Sequence, residues 1–588
     1  MAGPTESKKK TALTKESEYG VSGIKGPLLD VHAKAEELWG AATGNLEKEG
    51  TLSVMNTTVQ DHRHIYQIST SISNGIKRKD YDSITEDFRK AKEFASEARR
   101  LVRSLNNVPP DDAQIHQILL AARVEADVTA QIRSFEREVW KRLEQTHTAS
   151  SKPTGPVTTS QDQHLELISF LLEITTEDNP IWIWLSGRRA YLAAKIQYMS
   201  DRSRLEIEVM RRRLANSERP PPNVIASHMR SINRNEKSTP KDSSDTIELW
   251  EMSNAYLTNM LSAQGLLGEV VDFWQSVEGF LNETAQKSLP KGYKGKSQKH
   301  HMLDAKQTNE LRTGTAALLD SIRYNVFSFF ADPPIDDISA LVSPLPQSPN
   351  TPASGFAPQQ AATLLDPRLN FDPSNPPPPS PKRGEAWEKF AFWPPWSNSI
   401  SAVHYLSKFL VLVGSGASDM VQVQPAGYAD ADTIENLRSL VGGVRERCVA
   451  AVCGAWNKDA ENIKLLEDWK RSSEQKNLTR MPSTFFEFER TILGGMQKIL
   501  YISEAMNKSG ADVVVIQPAA KLTTMVKSQF VTTLYRALSG MVENAEKSAK
   551  KQDNDWIGDG LIVLDTRNGS SGDVGIDAGD RVSPLLCR

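Results

Sequence analysis

The chain has 588 residues, a net charge of −3, 24 % charged residues and three cysteines. That length allows roughly three to five domains. The balanced charge lacks the basic excess of a nucleic-acid binder, and so few thiols fit a reducing cytosol and not a disulfide scaffold. Cys448 and Cys453 are five apart, which matches no usual zinc spacing, and Cys587 stands alone. The lysines of Met1–Lys15 are not followed by an apolar stretch, so no signal peptide is expected. No apolar run reaches the ~18 residues of a membrane span, so any membrane contact is expected to be peripheral.

Residues 1–27 are polar and read as disordered. From Leu28 to Ile76 the pattern is helical, with Leu38, Val59, Ile65, Ile68 and Ile72 as apolar positions, and Asn74-Gly75 reads as its stop. After a short turn, Ile84, Phe88, Ala91, Ala95, Ala98, Val102 and Leu105 follow at alternating steps of four and three. This is a heptad seam. It requires another helix to cover it, and its alanines let that helix come close. Pro109-Pro110 with two aspartates marks a stop and a new N-cap. A second long helix is expected from about Ala113 to Leu143, with a stripe through Ile118, Ala121, Val124, Val128, Ile132, Phe135, Val139 and Leu143.

The region 28–146 thus reads as a long-helix assembly region, and 147–160 as a Ser/Thr/Pro linker. Residues 161–332 read as a helical bundle with loops, including one strong helix over 246–287. Fourteen of the 32 prolines fall between Pro333 and Pro381, so 333–384 reads as a disordered segment. Helices resume over 385–552, with stops expected at Gly414-Ser415-Gly416 and near Gln517-Pro518. Residues 553–588 form a glycine-rich tail without helical periodicity. No alternating strand pattern stands out, and the fold class is all-α.

Chemistry-bearing motifs are weak. Gly414-Ser-Gly416-Ala-Ser-Asp419 lacks the final glycine of a dinucleotide fingerprint and reads as a helix-to-helix turn. His62 with His64, and His300 with His301, have no acid or thiol at ligand spacing. Lys287, Lys291, Lys294, Lys296 and Lys299 read first as a solvated loop and second as a site for anionic lipid headgroups. Arg211-Arg212-Arg213 also reads as solvated. Pro378, Pro381 and Arg383 fit a PxxPxR ligand for aromatic-grooved adaptor domains. Ser343, Ser348, Thr351 and Ser380 each precede proline, as substrates of proline-directed kinases do. Trp182, Trp184, Trp393 and Trp396 read as packing anchors. No catalytic residue, metal or cofactor is expected.

Three blocks resemble a known family. Gly75-Ile-Lys-Arg-Lys-Asp-Tyr-Asp-Ser-Ile-Thr-Glu-Asp-Phe-Arg-Lys-Ala-Lys-Glu-Phe94 is similar to the helix–turn–helix signature of vesicle-tethering subunits. Asn179-Pro-Ile-Trp-Ile-Trp184 with Tyr191-Leu192, and Phe392-Trp-Pro-Pro-Trp396 continuing to Leu410, resemble the second exocyst component, the Sec-five-type subunit, of filamentous fungi. The resemblance runs from about residue 28 to 550. It implies an elongated rod of stacked helical bundles, with N-terminal coiled-coil-like helices that zip with helices of other exocyst subunits. The assembled complex tethers secretory vesicles at the plasma membrane before fusion.

On that resemblance the subunit interface is expected at Ile84, Phe88, Ala91, Ala95, Ala98, Val102, Leu105, Val128, Ile132, Phe135 and Val139. Contact with anionic lipid through the complex is a further expectation, and the location is cytoplasmic, at sites of polarised secretion. Family members run longer at the C-terminus, so the tail after about Asp553 is expected to reflect a truncated product. The immunoglobulin-like domain of animal members, which binds a small GTPase, has no counterpart in the pattern. The competing readings are a coiled-coil scaffold with a proline-rich docking segment, which would self-associate through the seam, and an all-helical enzyme, which lacks a clustered acid, base or ligand set.

Overall fold

The computed structural model describes residues 21–61, 63–105, 109–147, 163–174, 178–218, 220–221, 223–224, 227, 242–282, 284, 302–334, 378, 389–423, 431–467, 469–473, 477–508 and 510–559. Among them there is no β-strand, only an isolated bridge between Arg471 and Thr479. The chain is all-α and divides into two compact units, residues 1–180 with 290–297, and residues 181–289 with 298–588.

In the first unit α1 (Val21–Asp61), α2 (Arg63–Arg78), α3 (Tyr81–Ser104), α4 (Asp112–Gln145) and α5 (Gln163–Ile174) follow in order. Helix α1 begins inside the stretch 1–27 that was expected to lack structure. Helices α2, α3 and α4 pack pairwise into a bundle, and α5 lies against α3 and α4. The bundle core is made by Ile65, Ile68 and Ile72 of α2, the α3 seam, and Val128, Ile132, Phe135 and Val139 of α4. Phe170 of α5 joins it with its ring 5.2 Å from Tyr81 and 5.3 Å from Phe135.

Asn74-Gly75 does not end α2. The helix continues to Arg78, and Gly75 is buried where α3 crosses it: a Cβ there would stand 2.8 Å from Ile84 Cγ1. The stop lies four residues later. Lys79 takes the left-handed conformation (φ 59°), and Asp80 N–H donates to Gly75 O, closing the helix with a Schellman-type bond of 3.1 Å. Asp80 then caps α3 by accepting from Ser83 N–H, and Asp111 with Gln114 forms the capping box of α4.

The second unit comprises α6 (Pro180–Asn216), α7 (Ser244–Leu261), α8 (Leu266–Leu281), α9 (Ala305–Ala331), α10 (Ser399–Val423), α11 (Ala431–Asn462), α12 (Met481–Tyr501), the short α13 (Ala511–Val514) and α14 (Ala520–Asp559). The helix expected over 246–287 is two helices. Around the turn between them a Cβ at Gly265 would lie 2.3 Å from Asn259 O, and one at Gly268 1.9 Å from Ala263 O, so only glycine permits this reversal.

Helix α10 packs against α7, α8, α11, α12 and α13. It is long and apolar enough to cross a membrane by composition, which the sequence pattern did not suggest, but two thirds of that apolar window is buried inside the unit. Its apolarity is that of a core helix. The expected stop at Gly414-Ser415-Gly416 is absent, and the helix runs through. A Cβ on Gly416 would sit 2.8 Å from Leu261 Cδ2, and one on Gly414 3.1 Å from Ala505 Cβ, so these glycines admit neighbouring elements closely. The expected break near Gln517-Pro518 lies between α13 and α14.

Gly75→Val will destabilise the α2–α3 crossing by about 1–3 kcal/mol through overpacking. Lys79→Gly will stabilise it by about 1 kcal/mol by relieving the left-handed residue. Hydrogen exchange of the α3 amides in the full chain checks both signs.

Candidate partner-binding interface

Ile84, Ala91, Ala95 and Ala98 of the expected interface are buried, as are Val128, Ile132, Phe135 and Val139. They are buried by this chain's own helices: α3 lies between α2 and α4. Phe88 and Leu105 are half-buried, Lys92 Nζ sits 4.3 Å from the Phe88 ring centre, and only Val102, 52 % exposed, leaves the seam open. In the chain by itself this seam forms the core of the first unit, and Phe88, Val102 and Leu105 are its accessible positions. The outer faces carry charge: Arg99 pairs with Glu125 across α3 and α4, and Arg142 with Glu138 along α4.

Helix α1 is exposed along much of its length. Every α1 side chain that is described is exposed except Ala35, which is half-buried. Its 41 residues span about 60 Å, and it packs on α2. Val31, Leu38, Leu52 and Val59 fall at multiples of seven and are 65, 73, 64 and 49 % exposed. Ala35, Asn45, Glu49 and Asn56 complete the same stripe at steps of three and four. A heptad stripe of this kind turns toward a second helix. The helix also carries Gly40 and Gly50, each with open space where a Cβ would stand. Each costs about 1 kcal/mol relative to alanine in a helix interior. Sequence reading missed this stripe because Asn45 and Glu49 interrupt its apolar run. The seven-residue spacing of Val31, Leu38, Leu52 and Val59 was the available signal.

The buried polar groups of the second unit are structural. Trp250 stacks on Tyr405 with ring centres 5.5 Å apart and meets Trp393 edge-on at 5.7 Å. Its Nε1–H donates to Ser397 Oγ (2.8 Å), and Ser397 donates to Asp242 Oδ2 (3.0 Å). Asp459 from α11 accepts from both the backbone N–H (2.7 Å) and the hydroxyl (2.6 Å) of Ser399 at the start of α10. Burial pushes Asp459 up to about 7 and Asp242 up to about 6, against the pull of these hydrogen bonds. Glu489, which accepts from Trp456 Nε1–H, is raised by burial to about 7.

Arg211 and Arg212, expected to be solvated, are buried around Glu208, with Arg212 Nε 2.9 Å from its carboxylate. Trp184 and Trp393 are buried, Trp182 is half-buried, and Trp396 donates to Leu214 O (3.1 Å), as expected of packing anchors. Cys448 and Cys453 are buried in α11, where burial raises both thiols, Cys453 to about 12.

Among the described residues no group of three or more His, Cys, Asp or Glu could hold a metal ion. Pro378 is exposed and its carbonyl accepts from Asn216 Nδ2. Pro381, Arg383, the proline-directed serines and threonine, the lysine run 287–299, His62, His300, His301 and Cys587 lie outside the described residues.

A family model for exocyst complex component Sec5 matches residues 3–561. The chain belongs to that family. No curated protein matches it. Sec5-family membership accounts for the all-helical architecture, and the partners of that family are the other subunits of the exocyst. The family is a non-catalytic component of that complex.

The buried carboxylates fix a pH dependence. Asp459, Asp242 and Glu489 hold protons more tightly folded than unfolded, so their contribution to stability is full below about pH 4 and is lost as pH rises through 6 to 7. The second unit will be less stable at pH 8 than at pH 5.5, by on the order of 2 kcal/mol from Asp459 alone. Asp459→Asn will flatten that slope in denaturant titrations at the two pH values.

Proposed function

We propose that this chain is a structural subunit of the exocyst that helps hold secretory vesicles at the plasma membrane before fusion, and that α1 is the segment through which it zips onto the other subunits. The observation that carries this reading is the contrast between two heptad stripes in one unit. The α3 stripe is spent on the chain's own core, whereas the α1 stripe stands open along about 40 Å of helix, from Val31 to Val59.

Assembly through such a stripe is driven by burial of Val31, Leu38, Leu52 and Val59, each worth roughly 1.5–3 kcal/mol before ordering costs. Several contacts of that size in one complex add by avidity. In this reading the bundle of α2–α5 is a rigid mount for α1, and the second unit is a helical body whose job is span and rigidity. The site of action is the cytoplasmic face of the plasma membrane, reached as part of the complex.

Leu38→Asp combined with Leu52→Asp will lower co-purification of the other exocyst subunits at least tenfold and leave the buried cores intact by circular dichroism. Phe88→Asp, by contrast, will act on bundle stability and change co-purification only to the extent that the first unit unfolds. Undiminished co-purification of the α1 double variant would reject the reading, and self-association of the wild-type chain through α1 would favour a homotypic scaffold instead.

A further inference from the structure

Helix α14 has two apolar faces. One, through Leu522, Val526 and Ala537, is buried, and α14 packs on α11. On the other face Val531, Tyr535, Leu538 and Val542 follow at steps of four, three and four, and all are exposed, Tyr535 by 74 %. Ser528, Ala545 and Ala549 continue this stripe to three heptads, over about 32 Å. Apolar side chains repeating in this way form a seam for a second helix.

The charges near the seam are engaged or stand at its ends. Arg536 bonds Glu461 of α11 (2.7 Å), and Glu543 lies 3.9 Å from Lys464 in the turn after α11. The positions that edge the seam are uncharged, Thr532 and Ser539 on one side and Leu534 and Met541 on the other. A helix that lies on anionic lipid carries lysines or arginines along its edges, and these edges have none between Lys527 and Glu546.

The helix that fits this seam is present on the chain itself. Set antiparallel about a two-fold axis between residues 536 and 537, Val531 of each copy faces Val542 of the other, and Tyr535 faces Leu538. The large side chains meet in the middle and valines meet at both ends. Lys527 and Glu546, the first charges on the edges, fall level with one another and are opposite in sign, so the pair brings no like charges together. Thr532 and Ser539 put hydroxyls beside the Tyr535 phenol, which needs a hydrogen-bond partner when buried. The helix macrodipoles oppose. Such a contact uses the same patch on both copies and closes at two. Its four large side chains per copy place it at the small end of specific interfaces, where association is reversible.

We infer that the outer face of α14 is a self-association surface that joins two copies of this chain as a reversible antiparallel pair. It lies in the second unit and does not depend on the role given to α1. In the exocyst it brings two assembled complexes together through this subunit.

The full-length chain, purified alone, is followed by sedimentation equilibrium over the micromolar range, where a monomer–dimer equilibrium is expected. Leu538→Lys is expected to weaken it at least tenfold with an unchanged thermal midpoint, because Leu538 is exposed, whereas Leu38→Asp with Leu52→Asp in α1 changes it less than twofold. Disulfide formation in a Cys587→Ser background reads the register: chains with Val531→Cys link to chains with Val542→Cys, and neither links to itself. A chain that stays monomeric, a dimer abolished by the α1 pair, or linkage of Val531→Cys to itself would overturn the inference. So would self-association that appears only when residues 560–588 are removed, which makes the C-terminal segment the occupant of the seam. Loss of other exocyst subunits on Leu538→Lys, in a chain that is itself monomeric, would overturn it in favour of another subunit.

Discussion

Ile84 lies fully buried against Gly75, at a point where even one methyl group would be 2.8 Å from its side chain. That crossing fixes the first unit. It holds α2 and α3 at a separation only a glycine allows, sets the left-handed turn at Lys79, and commits the α3 seam to the interior. Once Ala91, Ala95 and Ala98 face α2 and α4, α3 has nothing left to offer a partner except Val102 and its charged outer face. The outward-facing apolar surface passes to α1. The α3 stripe is used for folding, and on the proposed reading the exposed apolar residues of α1 are left for assembly.

The second unit uses the same device at a larger scale. Glycines at 414 and 416 let α10 be approached on two sides, by Ala505 and by Leu261. Its first turn is tied down by acids from distant parts of the chain, Asp242 from the segment before α7 and Asp459 from α11. Their cost is borne by a helix N-terminus that would otherwise leave buried N–H groups unpaired. The Trp250–Tyr405 stack and the Trp250–Ser397 bond lock the same end.

Much of this was legible in the sequence. The stripes of α3 and α4, the N-cap after Pro109-Pro110, and the break near Gln517-Pro518 follow from periodicity and capping chemistry, which are local. The tryptophans at 184 and 393 read as anchors and are anchors. The departures share a cause. A heptad says that a stripe must be covered but not by which chain, so the α3 seam read as an interface when it is a core. Glycine in a helix gives the same letter for a stop and for a close contact, which is why Gly75 and Gly414-Gly416 read as stops and why the true reversal before Gly265 was missed. The α1 stripe was hidden by the polar residues that interrupt it.

The most direct test of this division of labour is hydrogen–deuterium exchange of the full chain, free and assembled with the other exocyst subunits. Stable helix pairing makes local opening rare, so the amides of 31–59 should slow by roughly a hundredfold or more on assembly while those of 84–98, already protected, stay unchanged. Unchanged exchange across 31–59, or new protection that appears only across 84–105, would contradict the account.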